Sequence, residues 1–241
     1  MGAFFYFRCM QLFYCPEILE DSYYLNSEES KHCIKVLRKN EGDLINLIDG
    51  IGSFYEVRIT IASQKKVHFE IVKSWKEEAR NYKLHIAIAP TKNNDRLEWF
   101  LEKATEIGID EITPIICHHS ERKVVKEERL NKIIISATKQ SLKSKIPILH
   151  PAISLKQLVL VNHTNNCLIA HCEDNEKTSL QTVVTKNTLI LIGPEGDFST
   201  TEIDLALANS FTPITLGNSR LRTETAGLVA CHTIALQHEK I

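Results

Sequence analysis

The sequence predicts an α/β protein with a mostly parallel sheet, preceded by a small all-β unit. Three observations carry this. After Lys83, short apolar runs alternate with segments of helical periodicity, the pattern of a parallel sheet covered on both faces. Before Lys76, short runs instead alternate apolar and polar residues between turn signals. Two late apolar runs, Thr188 to Ile192 and Thr212 to Leu216, each end in a glycine bend that leads into a helix. A length of 241 residues suits one small and one medium domain.

The elements follow in order. Met10 to Tyr14 reads as a first strand, with residues 1–9 as an upstream extension. Ser27 to Leu37 has helical spacing, with Ser27 as its expected N-cap. Leu44 to Ile48 runs into Asp49-Gly50-Ile51-Gly52, a hairpin signal. Phe54 to Ile61 and Val67 to Val72 alternate as half-buried strands do. Several short strands in this space predict a small β-barrel over residues 1–76, joined by a polar link to a second domain over 83–241.

In the second domain, Leu84 to Ala89 is a strand. Asp95 to Ile107 is an amphipathic helix with Leu97, Phe100, Leu101, Ala104 and Ile107 on one stripe. Asp95 and Glu98 have capping-box spacing, and Gly108 supplies the stop. Ile112 to Ile116 is a strand, Glu127 to Ser141 a helix, and Pro147 to Pro151 a connector. Strands follow at Cys167 to Ala170, Thr188 to Ile192 and Thr212 to Leu216, with helices from Ser199 and Thr223. Ser199 and Glu202 form a capping box, and Phe198 and Ile203 occupy staple positions.

Composition excludes several classes. Net charge is −1, so bulk attraction to nucleic acid is absent. A local surplus remains between Cys117 and Pro147, where eight Lys or Arg face three Glu. Seven cysteines form no CxxC pair, which points to reduced cytoplasmic thiols and to no metal site, Cys167 and Cys172 beside His171 reading as packing. No apolar stretch reaches the length of a membrane span, so no membrane partner is expected.

The glycine bends are Leu191-Ile192-Gly193-Pro194-Glu195-Gly196-Asp197-Phe198-Ser199 and Leu216-Gly217-Asn218-Ser219-Arg220-Leu221-Arg222-Thr223-Glu224-Thr225-Ala226. Ligands of open α/β sheets bind beyond the carboxyl ends of the strands. Two such bends on neighbouring strands form a slot for a flat ligand, gripped by backbone groups where glycine removes the side chain. Arg222 and Glu224 stand at its mouth. A dinucleotide site or a P-loop would place glycines after the first strand of the domain, where Pro90-Thr91-Lys92-Asn93-Asn94 has none. The GxSxG elbow of a nucleophilic serine is absent as well.

At these two loops the chain resembles RsmE-type 16S ribosomal RNA uridine-N3 methyltransferases of the SPOUT superfamily. The likeness extends to Val36-Leu37-Arg38 with Gly42-Asp43, to Lys92 through Arg96, to Lys103-Ala104-Thr105-Glu106-Ile107-Gly108, and to Gln140 and Pro147. Three positions depart from the family pattern. Asp197 stands for a second glycine, Ser219 precedes Arg220 where arginine is usual, and Lys143 replaces a common arginine.

The resemblance implies a PUA-like N-terminal barrel and a C-terminal trefoil-knot domain. It implies S-adenosylmethionine as cofactor, a homodimer, and methylation of a uridine in 16S ribosomal RNA, naked or in the assembled small subunit. On that reading the backbone of Gly193, Pro194, Glu195, Gly196 and Gly217 grips the cofactor, with Arg222 beside it. Ile192, Leu216 and Leu221 flank the adenine, and His171 forms a third wall. Glu224 is the candidate acceptor of the N3 proton and Arg222 the stabiliser of the developing anion. Arg38, Lys92, Arg96, Arg122 and Lys143 are the candidate RNA contacts. A first-turn carboxylate favouring its helix dipole explains Glu224 equally well. A ribose 2′-O-methyltransferase and a non-catalytic RNA-binding protein are the competing functions.

Overall fold

The structure is a computed structural model that describes residues 11–20, 22–161, 166–174, 176–183 and 186–238. Met10 and the extension over residues 1–9 lie outside the described residues. The chain forms two compact units, 1–79 with 135–146, and 80–134 with 147–241. Residues 135–146, which the sequence reading keeps in the second domain, group with the first unit.

In the first unit, β1 (Leu12–Tyr14), β2 (Leu44–Ile48), β3 (Ser53–Ile61) and β4 (His68–Lys76) form one sheet in that order. β1 runs parallel to β2 and the rest pair antiparallel. Phe13, Leu25, Leu47, Val57, Ile59 and Phe69 fill its core. The β2–β3 hairpin closes on Asp49, whose Oδ1 accepts from the N–H groups of Ile51, Gly52 and Ser53. Gly50 and Gly52 supply the positive φ angles this turn demands. Register shifts at Glu56/Val57 and Ile59/Ile61 mark irregularities that bend the long β3–β4 ribbon.

The helix α1 (Ser27–Lys31) is capped one residue earlier than expected. Asn26, not Ser27, accepts from the N–H groups of Glu28 and Glu29. The chain then takes a π turn over His32–Val36. Asn and Ser cap about equally well, and here Asn26 directly precedes the serine.

The second unit is built on a parallel sheet. Its strands are β5 (Lys83–Ile88), β6 (Glu111–Ile116), β7 (Ile148–Leu149), β8 (Ile153–Ser154), β9 (Asn166–Ala170), β10 (Thr178–Ser179), β11 (Asn187–Ile192) and β12 (Thr212–Thr215). The order is β10-β12-β9-β11-β5-β6-β7, with β8 also on β6. Two expectations need correction. The Pro147–Pro151 connector contains β7, because Ile148 N–H donates to Asp110 O and His150 N–H to Ile112 O. The two bends also do not leave neighbouring strands. β9 hydrogen-bonds β11 on one side and β12 on the other, so it separates them.

Helices cover both faces. On one, Ala87, Ala89, Ile115, Cys117, Ile169, Leu189 and Leu191 pack with residues of α4 (Leu155–Val159) and α5 (Thr200–Ala208). The Ser199–Glu202 capping box of α5 is present, and Phe198 and Ile203 share that core. On the other face lie α2 (Asn94–Ile107) and α6 (Thr223–His238), which pack together and, through α6, on β5 and β11. Gly227 permits this approach: a Cβ there would lie 2.7 Å from Phe100 Cε2 and 3.0 Å from Ile88 Cδ1. The cap of α2 is Asn93 rather than Asp95, since its side chain accepts from Asp95 N–H. Glu98, expected in that capping box, instead pairs with Arg129 of α3 (Glu127–Gln140) at 2.6 Å.

Among the described residues no helix is long and apolar enough to cross a membrane. Cys15, Cys33, Cys117, Cys167 and Cys231 are buried, and Cys172 is exposed. Burial pushes the Cys33 thiol up to about 11, well away from thiolate chemistry.

Candidate active site

Three strand ends lie side by side in the second unit. Ile192 ends β11 beside Ala170 of β9, and Ile214 of β12 pairs Ala170 from the other side. Two strand spacings, about 9.5 Å, therefore separate the two glycine bends, with the β9 exit at His171 between them.

The first bend is tied down on every side. Asp197 N–H donates to Pro194 O at 3.0 Å, closing a turn. Thr223 Oγ1 donates to Gly193 O at 3.0 Å, so the start of α6 is bonded to the first bend. The Glu195 carboxylate accepts from Lys92 N–H, joining the loop after β5. Glu202 of α5 accepts from His118 N–H at 2.8 Å, joining the loop after β6. A Cβ at Gly193 would approach the Phe198 ring to 3.0 Å, and one at Gly196 would reach His119 Cβ at 3.1 Å. A larger residue at either position would press on its neighbour more tightly than ordinary contact.

Asp197 was marked in the sequence as a departure, and the structure shows what it does. Its φ is +63°, the left-handed conformation that glycine, and next Asn and Asp, adopt most readily. Its Oδ1 accepts from Phe198 N–H, and its Oδ2 accepts from Cys172 N–H at 2.7 Å. The carboxylate thus joins the first bend to the exit of β9.

The second bend is different. Gly217 has φ +126° and open space where a Cβ would stand. Thr215 Oγ1 accepts from Gly217 N–H and donates to Gly217 O, which shapes the loop from within. Leu216 and Leu221 stay half-buried, while Ile192 is 2% exposed and belongs to the core. Leu216 and Leu221 therefore keep apolar surface for a ligand, and Ile192 has little to offer.

His171 is 7% exposed, and both ring nitrogens are buried with no partner among the described residues. Burial, followed by the nearby Lys177 ammonium, lowers its pKa from 6.5, so the ring is held neutral. Glu224, in the first turn of α6, is also buried; its Oε1 lies 3.7 Å from Arg96 Nε, and its Oε2 has no partner among the described residues. Orphaned buried polar atoms are rare, and these two belong to the segments that form the slot. A bound ligand carrying amine and hydroxyl groups would give the His171 nitrogens partners, which fits an amino-acid-bearing nucleoside such as S-adenosylmethionine. Arg222 is exposed at the same loop.

Of the candidate RNA contacts, Lys92, Arg96 and Arg122 belong to this unit. Lys92 Nζ pairs with Glu121 at 2.9 Å, and its carbonyl accepts from Arg122 Nη2. Lys92, Glu121, Arg122, Lys123 and Val124 line an open basin of about 340 Å³. Three cations against one carboxylate make it electropositive. Arg38 and Lys143 belong to the other unit. Arg38 is exposed with φ +55°, a strained conformation for a long side chain. Sequence reasoning missed Thr223, His119 and the bridging role of Asp197; only Asp197 left a signal, as a departure in a glycine position.

Comparison with known families places this geometry among RNA-modifying enzymes. The RNA methyltransferase domain pattern matches residues 77–235, and the RNA methyltransferase PUA domain pattern matches residues 25–72. The ribosomal RNA small subunit methyltransferase E of Mesomycoplasma hyopneumoniae is 30% identical over 91% of this chain and 96% of its own. A crystal structure of a probable rRNA-methyltransferase from Porphyromonas gingivalis is 41% identical, with a TM-score of 0.88, covering 95% of this chain and 100% of that one. The ribosomal RNA small subunit methyltransferase E of Neisseria gonorrhoeae, solved bound to S-adenosyl methionine, is 28% identical with a TM-score of 0.82, covering 95% and 98%. The chain belongs to the ribosomal RNA small subunit methyltransferase E family.

Proposed function

We propose that the protein transfers a methyl group from S-adenosylmethionine to a uridine N3 of small-subunit ribosomal RNA. One observation carries the reading: two glycine bends flank the β9 exit at the carboxyl ends of a parallel sheet, in a chain of this family. Family membership supports a trefoil knot in the second unit. Family membership supports a PUA-like RNA-binding unit, a homodimer, and 16S ribosomal RNA or the assembled subunit as partner.

The cofactor supplies an electrophilic methyl on a sulfonium. This chain's residues supply position and proton handling. Backbone from Gly193 to Gly196 and at Gly217 forms the cradle, with Leu216 and Leu221 as apolar walls and His171 between. Uracil N3 is a poor nucleophile until its proton leaves. Glu224 accepts that proton on its partnerless Oε2, while Arg96 offsets the cost of keeping the carboxylate buried. Arg222 faces the charge that develops on the uracil oxygens. Lys92, Arg122 and Lys123 hold phosphates at the basin.

The test uses small subunits from cells lacking the gene, incubated with the protein and methyl-labelled S-adenosylmethionine. Digestion to nucleosides with mass detection should yield 3-methyluridine. Label on a ribose 2′-oxygen, or no incorporation, overturns the proposal.

A further inference from the structure

A second polar cluster lies at the opposite end of the same sheet. His85 is the third residue of β5, Glu111 opens β6, and His150 follows directly after β7. His85 and Glu111 are direct partners in the β5–β6 ladder. His150 N–H continues the β6–β7 ladder by donating to Ile112 O at 2.8 Å. Alternation along each strand places His85 on the face of Ala87 and Ala89, and Glu111 on the face of Ile115 and Cys117. This is the face that α4 and α5 cover further along.

The three side chains converge. His150 Nε2 lies 2.7 Å from Glu111 Oε2, and the His85 and His150 rings are 5.3 Å apart between centroids. Thr113 Oγ1 stands 2.8 Å from His85 Nε2. One ligating atom from each of His85, Glu111 and His150 falls within 4.8 Å of the others, and all three residues are half-buried. An ion pair accounts for His150 and Glu111. A second imidazole, held by Thr113, stands beside this pair.

We propose that His85, Glu111 and His150 bind a divalent transition metal of the zinc class, with water completing the shell. Two imidazoles and a carboxylate without thiolate suit such an ion and disfavour calcium or magnesium, which take oxygen ligands. Tetrahedral bonds of about 2.1 Å put ligand atoms roughly 3.4 Å apart, so side-chain rotations that close the widest gap by at most about 1.4 Å and open the 2.7 Å His150–Glu111 contact by roughly 0.7 Å complete the site. The ion takes the place of the His150–Glu111 contact and ties β5 and β6, near their amino ends, to the residue that follows β7. The glycine bends lie at the carboxyl ends, so the metal stabilises the sheet and takes no part in methyl transfer.

Full-length protein, stripped with a chelator, would be titrated with zinc chloride by calorimetry and with cobalt chloride by visible absorption. A single ion per chain is expected, with cobalt bands of nitrogen and oxygen ligation and no thiolate charge-transfer band. Zinc should also raise the melting temperature. His150→Gln and Glu111→Gln should each lose binding and the thermal shift while melting as wild type does without metal. His85→Gln provides a third arm should either variant fold poorly. His118→Ala with His119→Ala, which removes the other adjacent histidine pair, should bind normally. Retained binding in His150→Gln and Glu111→Gln, a thiolate band, or no binding by the wild type overturns the assignment.

Discussion

Replacing Thr223 by valine keeps the side chain's shape and deletes the hydroxyl that joins α6 to the first bend. That hydroxyl donates to Gly193 O at 3.0 Å, and both residues are buried. A buried neutral hydrogen bond contributes about 1 kcal/mol net, and a carbonyl left without a partner raises the loss to roughly 1–3 kcal/mol. The methyl gained in exchange offsets at most about 0.8 kcal/mol. The expected net loss is about 1–2 kcal/mol, a factor of roughly 5–30 in the folding equilibrium. The bond links two segments of the proposed cofactor cradle, so affinity for S-adenosylmethionine should fall along with stability. Urea unfolding followed by circular dichroism measures the first effect and titration calorimetry the second. Thr223→Ser keeps the donor and should retain most of the affinity. If Thr223→Val matches the wild type in both assays, the bond does not organise the site.

Gly217→Ala meets no steric obstacle but forces a side chain onto φ +126°. Strain of about 1–3 kcal/mol should appear as a lower melting temperature and weaker cofactor binding, and a neutral result would show that the loop relaxes freely. Glu224→Gln preserves volume and should leave cofactor affinity in place while slowing methyl transfer roughly 100- to 10,000-fold, and a wild-type rate across pH would remove Glu224 as the base. His171 gives a pH signature. Its folded pKa lies below the unfolded value of 6.5, so the unfolded chain binds the extra proton. Its contribution to stability is therefore complete above pH 6.5 and is lost as pH falls from there toward the folded pKa. The urea midpoint should drop on acidification in the wild type and drop less in His171→Phe, and equal drops would assign the effect to other groups.

Local chemistry was legible where one residue had one plausible role. Ser199 and Glu202 form their box because the upstream Asp197 carboxylate is taken by the N–H groups of Phe198 and Cys172, and Phe198 is pinned in the core. Where small polar residues crowd together, the cap slid upstream, from Ser27 to Asn26 and from Asp95 to Asn93. The apolar runs announced the main strands of the sheet, but not their order. That β9 lies between β11 and β12 depends on pairing between segments far apart in the chain, which periodicity does not encode. β7 was missed because two residues are too few for a period. The glycine bends were visible as sequence, whereas the Thr223–Gly193 bond and the Asp197–Cys172 bridge exist only after folding. The His85, Glu111 and His150 cluster was invisible for the same reason, since motif spacing detects ligands only within a short span.

The placement of β9 makes ligand binding a test of finished folding. On the proposed reading no single hairpin or βα unit holds the cofactor, because the proposed cradle draws on separate stretches around residues 171, 193 and 217, and Thr223 in the first turn of α6 bonds to one of them. A nascent or truncated chain lacking that helix has no latch and gains nothing from the ligand. The complete chain gains stability in proportion to the logarithm of ligand concentration over its dissociation constant. Cellular supply of methyl donor thereby favours the mature enzyme over its own incomplete forms.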